Sequence, residues 1–586
     1  AGVTWFVMRP GPAPVSLSPD IVKITTDAGY TIEPAVSQSG SLMAYASDRG
    51  GEGLDIWVQP LPTGEPVQIT RNPADDREPA FSPDGSRIVF RSDRDGGGIY
   101  ELPALGGSER LIAAKGRTPR FSPDGTWISY WTGGRAVAPA TWITDGHGGT
   151  PRAVGADLKF SGTLWCQDSA SIIGSGSKNN DATSEDWYAV DIASGVATRL
   201  GVAAILKAAG LEIDAPAAWL GAEIVFTDTA GERNSLWALP MNGCHGVSGA
   251  PHRLTTGTPQ DLSPAVVATA DGARLFYAGT DQRTNIYRLP LPAAADAPVV
   301  VSLTDDATYD SWPSVSSDGR VLAFGTARGG TTRAIVRDVA ARTSVDVAVT
   351  ASSDTTSGAA RTAVISRDGK TLAAIVGKSR LSLQPVGGGS ARSINFDGDI
   401  RRLWDWPRPA LLTSSITLGD GRVSAVAVNA ETGKLLTILD SPSSQYLGHA
   451  RLSPDGKWMS MMDWSSADRG RIIVVPFDGV TTATTSQVIP ITDGQTVVEE
   501  NAWSPNGDML YMVSEADGYR CLWSRRLDPR TKQPAGPLTP VAHFHRARQQ
   551  VVTTTDSPQR LDMSPTGLVF AMTERHGNIW MATVKK

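Results

Sequence analysis

Near the C-terminus the chain reads His543-Phe544-His545-Arg546-Ala547-Arg548, its densest run of side chains able to do chemistry. On an extended strand successive side chains alternate between faces, so His543 and His545 would share one face and Phe544, Arg546 and Arg548 the other. Two imidazoles at that spacing could ligate a metal, but no further ligands stand beside them. The chain holds only seven His and three Cys (Cys166, Cys244 and Cys521), with no Cys-x-x-Cys pair. The reading is therefore no metal site and a structural or anion-contacting role for the run, with Arg546 and Arg548 as the candidate contacts.

Carboxylates and aromatics gather in three other stretches. The first is Asn72-Pro-Ala-Asp75-Asp76-Arg77-Glu78. The second is Asp305-Asp306-Ala-Thr-Tyr309-Asp310-Ser-Trp312, and the third Thr496-Val-Val-Glu499-Glu500-Asn501-Ala-Trp503. Charged turns are often simply solvated. The functional reading is a ring of acids and aromatics that grips a ligand, with Asp75, Asp76, Arg77, Asp305, Asp306, Tyr309, Asp310, Trp312, Glu499, Glu500, Arg546 and Arg548 as its candidates. No catalytic residue is assigned. A Gly-x-Ser-x-Gly elbow is missing, and Gly174-Ser-Gly176-Ser does not lead into a helix as a nucleotide loop would. Ser122-Pro-Asp124-Gly125-Thr-Trp127 has the composition of a sialidase Asp box but not its spacing. No cofactor is expected.

The elements that position these residues repeat. Ala80-Phe-Ser-Pro-Asp-Gly-Ser-Arg-Ile-Val-Phe returns forty residues later as Arg120-Phe-Ser-Pro-Asp-Gly-Thr-Trp-Ile-Ser-Tyr. Clear copies turn at Gly40, Gly85, Gly125, Gly272, Gly319, Gly369, Gly456, Gly507 and Gly567, and degenerate ones lie at 165–174, 219–226 and 404–412. Twelve units thus span the chain, and the steps from Gly40 to Gly567 average about 48 residues, the length of a propeller blade. Each full unit has one grammar. Glu78–Ser82 is a short strand, Pro83-Asp84-Gly85 a turn, Arg87–Ser92 a second strand, Asp93–Gly98 a polar loop, Ile99–Pro103 a third strand and Glu109–Ile112 a fourth. In the turn Pro presets φ, Asp can bond its own backbone and Gly accepts φ > 0.

Four short strands make one antiparallel blade, which can bury its faces only by stacking radially on others. Rings usually hold four to eight blades. Twelve units therefore predict an all-β chain of two tandem β-propellers of six four-stranded antiparallel blades each: an N-terminal segment 1–19, a first propeller over 20–298 and a second over 299–586. The strand Ile21–Thr25 has no local partner. Of two closures open to it, pairing near Asn285–Leu289 is preferred to pairing near 578–582, because each ring would then close on itself.

The repeats Phe-Ser-Pro-Asp-Gly-x-x-Ile-x-Phe and Leu-Ser-Pro-Asp-Gly-Lys-Trp resemble the TolB-type, WD-like propeller repeat, found also in the tricorn protease and related to the propellers of prolyl oligopeptidases. The C-terminal Gly518–Gln549 and Gly577–Val584 resemble the end of exported propeller regions in bacterial membrane proteins. There a kinase or winged-helix domain precedes a single membrane helix. The resemblance implies a periplasmic or extracytoplasmic sensor module without catalytic activity, which recognises a small ligand, a peptide or a partner protein at a channel mouth. An alternative is a propeller-type hydrolase or lyase, or accessory propellers of a larger protease. Ala1–Met8 is uncharged and mostly apolar but far too short to span a bilayer. It reads either as a lightly packed terminus or as the outer end of an inner-membrane anchor upstream of residue 1. The net charge of −6 argues against nucleic acid.

Overall fold

The computed structural model describes residues 17–51, 53–134, 137–178, 181–229, 234–256, 260–296, 298–305, 309–328, 331–347, 363–376, 379–396, 398–464, 470–517, 519–551 and 560–585. Strands make up 57% and helix 3%, so the all-β expectation holds. The one described α-helix, Val202–Ala208, falls in the single helix-like run of the sequence, 200–211. No helix among the described residues is long and apolar enough to cross a membrane.

The repeat becomes four-stranded antiparallel sheets. The first consists of Thr31–Val36, Leu42–Ser47, Asp55–Pro60 and Val67–Gln68, and the next of Asp76–Phe81, Arg87–Ser92, Gly98–Pro103 and Arg110–Ala114. The degenerate copies pair too, as Leu158–Trp165 with Ser171–Lys178, Pro216–Leu220 with Glu223–Asp228, and Asp399–Arg408 with Leu411–Thr417. The Ser-Pro-Asp-Gly signature is a local hydrogen-bonded turn. Ser82 Oγ donates to Asp84 Oδ1 at 2.5 Å, Ser86 N–H donates to the same oxygen, and Gly85 has φ 71°. These donors hold the exposed Asp84 carboxyl down at about 2, so turn chemistry alone accounts for the motif.

Stacking explains why central strands are apolar on both faces. In Arg87–Ser92, Ile88 and Phe90 enter the core built on Met43, Tyr45 and Ile56 of the preceding sheet, while Val89 enters that of Phe121, Ile128 and Tyr130 of the next. All three are fully buried. Met459 and Met461 divide from Met462 in the same way.

The chain separates into two compact units that do not follow a single cut at 298/299. The first holds the described residues up to Asp281, together with Arg546–Arg548 and the segment from Arg575. The second holds Gln282–His545 and Gln549–Glu574. Two long strands, Gly272–Leu289 and Gly567–Lys585, each belong to one unit in their first half and to the other in their second.

This corrects the preferred closure. Ile21, Val22 and Lys23 pair antiparallel with Ala582, Met581 and Trp580, and Ile24 N–H donates to Ile579 C=O at 2.8 Å. The stretch near 287 is already taken, with Tyr287 and Arg288 paired to Ser302 and Val301. The polar runs 281–285 and 573–576 lack a Pro-Gly or Asn-Gly turn, and the backbone continues extended through them. Loop-closure entropy grows only logarithmically with length, so the longer closure carries little extra penalty.

Two cysteines that sequence left unassigned, Cys166 and Cys244, form a disulfide within the first unit, and Cys521 is free and buried.

Candidate functional site

Innermost strands in both units carry register shifts, and left-handed residues sit at them. In the first unit these are Glu33, Glu78, Thr118 and Ser263, with φ of 56°, 55°, 48° and 51°; in the second, Trp312, His449 and Glu500, with φ of 57°, 57° and 52°. A side-chain-bearing residue held there costs about 1–3 kcal/mol, so the surroundings must enforce it. Proline follows in five cases (Pro34, Pro79, Pro119, Pro264 and Pro313), at the point where a bulge interrupts the ladder and no N–H is needed. A signal for these bulges lies in the sequence. Pro34, Pro79, Pro119 and Pro313 each stand six residues before a turn glycine.

In the first unit these positions satisfy one another. Glu33 accepts from Arg77 Nη2 and from Glu78 N–H, both at 2.7 Å, and Glu78 in turn accepts from Thr118 N–H. Glu33 raises the Arg77 pKa, outweighing burial. Asp75 accepts from Leu54 N–H at 2.9 Å, and burial pushes its carboxyl up to about 6. Asp76 is fully buried, bonded through both oxygens to Arg94 at 3.0 Å, and is also raised by burial.

In the second unit Trp312, Trp404, His449 and Glu500 are all buried. The His449 ring stacks on Trp404 at 3.9 Å, and Trp404 lies 5.6 Å from Trp312, over which Arg402 is placed. His449 Nδ1 is 2.8 Å from Glu500 Oε1, without hydrogen-bond geometry. Among the described residues, both Glu500 oxygens, His449 Nδ1 and Trp312 Nε1 lack a hydrogen-bond partner. Buried polar atoms are normally paired, so such a group marks a place where something besides the fold is being served.

Two residues along from His449, Arg451 belongs to a second cluster. Arg367, Arg451 and Arg560 face Asp405 and Asp562 with contacts of 3.4–3.8 Å. Arg560 is 2% exposed; Arg451, Asp405 and Asp562 are likewise buried. Burial first, and Arg451 second, bring the Arg560 guanidinium down to about 10. Burial alone would raise Asp562, but Arg560, Arg451 and Arg367 outweigh it and lower its pKa. Arg560 Nε and Nη1 and Arg451 Nε have no hydrogen-bond partner among the described residues. Arg367, Asp405, Arg451 and Asp562 line a cavity of about 440 Å³, together with Trp503 and the Ser453-Pro454, Ser504-Pro505 and Ser564-Pro565 turns, whereas Arg560 is not part of its lining. Three guanidiniums against two carboxylates leave one positive charge in excess, suited to a carboxylate or phosphate.

The sequence-derived candidates fall into separate places. Asp75, Asp76, Arg77, Arg546 and Arg548 belong to the first unit, the other described candidates to the second. Trp312 and Glu500 sit in the aromatic cluster, and Glu499 beside them meets Arg520 at 3.4 Å. Asp310 is fully buried, and Tyr309 packs at the edge of an apolar core. Asp305 is exposed near Arg337 and Arg342. Asp306 lies outside the described residues. Arg546 is exposed. Arg548 is half-buried, and its backbone C=O accepts from Arg575 N–H. The segment 543–546 is not strand, since the ladder ends where Ala542 pairs with Leu522. Arg367, Asp405, Arg451, Arg560 and Asp562 escaped the sequence, being far apart in the chain without a local motif.

A family profile described as the TolB beta propeller domain matches residues 18–136. No curated protein matches in sequence. Similar solved structures include a TolB from Agrobacterium tumefaciens (19% identity, 50% of this chain and 98% of that one, TM-score 0.37) and TolB from Acinetobacter baumannii (12%, 47% and 80%, 0.32). The tricorn protease is similar at 12% identity over 88% of this chain and 52% of its own, with TM-score 0.27.

Proposed function

We propose that this chain is a binding or sensor module of two six-bladed propellers, in which the second unit's cavity takes an anionic group of a ligand or peptide. The observation that carries this reading is the cluster of three guanidiniums against two carboxylates, of which Arg367, Arg451, Asp405 and Asp562 line the cavity and Arg451 Nε has no hydrogen-bond partner among the described residues. A purely structural network would be expected to balance its charges and satisfy its donors. The Trp312–Trp404–His449–Glu500 cluster, on the same inner strands, is buried and is not part of the cavity's lining. The reading includes a periplasmic or extracytoplasmic location, supported by the Cys166–Cys244 disulfide. It also includes the role of exported sensor region for a membrane-anchored regulator, supported by the resemblance of the C-terminal stretch. An enzymatic alternative would rest on the His449–Glu500 pair acting as acid and base.

The test is a thermal-shift screen with di- and tricarboxylates, phosphate esters, and peptides with free or amidated C-termini. A specific ligand at ~100 times its Kd adds ~2.7 kcal/mol of stability. The shift is expected for anionic members only, and is expected to vanish in Arg367→Met, whose side chain lines the cavity. Equal shifts from neutral analogues, or an undiminished shift in that variant, would overturn the reading.

A further inference from the structure

In the second unit, Val498–Trp503, Met509–Ser514, Cys521–Leu527 and Pro534–Ala542 form one sheet. At one end of it Asp517, Cys521, His543 and His545 converge, each with one potential donor atom within 4.8 Å of the others. The fold brings them there by strand register. Cys521 opens its strand opposite Ser514, and Leu522 pairs with Ala542, so His543 emerges beside Cys521 across the ladder. Asp517 lies in the connecting hairpin. Its Oδ1 accepts from Tyr519 N–H at 3.1 Å, which aims Oδ2 at His543 Nδ1 and His545 Nε2, each 2.8 Å away.

The surroundings hold this arrangement in place. Phe544, between the two histidines, is buried against Phe570, and its N–H donates to Cys521 Sγ at 3.2 Å. Such an N–H bond is what a thiolate ligand accepts. Tyr519 stacks on the His545 ring at 4.3 Å, and Trp523 meets the His543 ring edge-on at 5.9 Å. His543 Nδ1 is buried and, although 2.8 Å from Asp517 Oδ2, does not have hydrogen-bond geometry toward it. That nitrogen therefore makes no hydrogen bond among the described residues.

We propose that Asp517, Cys521, His543 and His545 form a tetrahedral binding site for a borderline-soft divalent cation, Zn²⁺. One sulfur, two imidazole nitrogens and one carboxylate oxygen match that ion. Mg²⁺ and Ca²⁺ call for oxygen ligands throughout. Bonds of ~2.0–2.3 Å put tetrahedral ligands roughly 3.3–3.7 Å apart. The site therefore reaches that geometry by drawing in its widest pair and easing the two 2.8 Å contacts apart, shifts of about an ångström. Four protein ligands fill the tetrahedron and leave no position for a reacting water, so the ion acts as a clamp. It ties the hairpin to the segment after the sheet's last strand. Arg520, in the same hairpin, contacts Glu499 at 3.4 Å, so the clamp steadies the neighbour of Glu500. Binding converts the Cys521 thiol to thiolate and releases its proton.

Chelator-treated full chain should take up one equivalent of Zn²⁺ by calorimetry. With Co²⁺ it should show a thiolate-to-cobalt charge-transfer band and tetrahedral d–d absorption. Cys521→Ser should abolish the charge-transfer band, and both it and His545→Ala should weaken Zn²⁺ binding roughly 100-fold or more. His545 is exposed, so its variant keeps the test valid if the buried cysteine change impairs folding. Absence of stoichiometric binding by the wild-type chain, or tight binding that survives in a folded form of either variant, would overturn the proposal.

Discussion

In both units left-handed residues sit at register shifts of the innermost strands, yet their side chains meet opposite fates. In the first unit Glu33 and Glu78 accept hydrogen bonds from the backbone of the following bulge, so one strained residue secures the next. In the second unit Trp312, His449 and Glu500 occupy equivalent strained positions with their polar atoms unsatisfied. The backbone strain is the same; what differs is whether protein or something else completes it. Strain at a bulge is thus no pointer to function by itself. Strain joined to unpaired buried polarity is one.

The sharpest way to break this comparison is to remove one acid from each unit. Glu33→Ala strands the Arg77 guanidinium and the Glu78 N–H together, and should cost about 2–4 kcal/mol in chemical denaturation. Glu500→Gln removes a buried charge that accepts no hydrogen bond, and should change stability by less than about 1 kcal/mol. A loss in Glu500→Gln as large as that in Glu33→Ala would show that both rings of bulges are structural.

Arg560→Met should raise stability by about 1–2 kcal/mol, because it relieves the excess buried cation and leaves two arginines facing two aspartates. A destabilised variant would make the cluster a scaffold and not a site.

Acid should separate the units. The Asp55 and Asp75 carboxyls are raised to about 6 by burial, so between their unfolded values near 4 and pH 6 the folded first unit holds more protons than the unfolded chain. Its stability therefore falls as pH rises through that window. Asp562 is lowered, and its contribution is present above pH ~4 and lost as pH drops through its folded pKa. Hydrogen exchange at pH 4.5 and 7 should show the falling stability at 31–60 and no change from Asp562 at 446–476, whose loss should begin only below pH ~4. Asp75→Asn keeps an acceptor for Leu54 N–H and should flatten the first trend by roughly 1–2 kcal/mol. An unchanged slope in that variant would assign the effect to other groups.

The smallest effect concerns closure. Val22→Thr and Ile24→Thr, at the paired N-terminal strand, should cost about 1 kcal/mol or less each and accelerate exchange at 579–582, not near 287.

The fold was legible because its signals are local. Ser82, Asp84 and Gly85 make their turn within five residues, and Ile88, Val89 and Phe90 declare a strand buried on both sides. The site was legible only where an inner strand opened on conspicuous residues, as at Trp312 and Glu499-Glu500. Arg451 and Arg560 look like ordinary surface cations in sequence, and nothing local sets them opposite Asp405. Similarly, His543 and His545 stood out, while their neighbours Asp517 and Cys521 became visible only through the register of a hairpin. Closure failed to be legible for another reason. Two topologies satisfied the same strand count, and the deciding feature was the absence of turns in two polar stretches.

That closure sets a sequence of events during biosynthesis. In chain order the second unit is inserted into the first, entered after Asp281 and left at Glu574. On a ribosome or through a translocon, residues 17–281 emerge first, but they wait for 575–585 before their last sheet can be completed. For most of the chain's emergence the early ring has an open seam with unpaired strand edges, the kind of surface that chaperones hold and that recruits wrong partners. The unit made later is sealed first, and the one begun earliest is finished last.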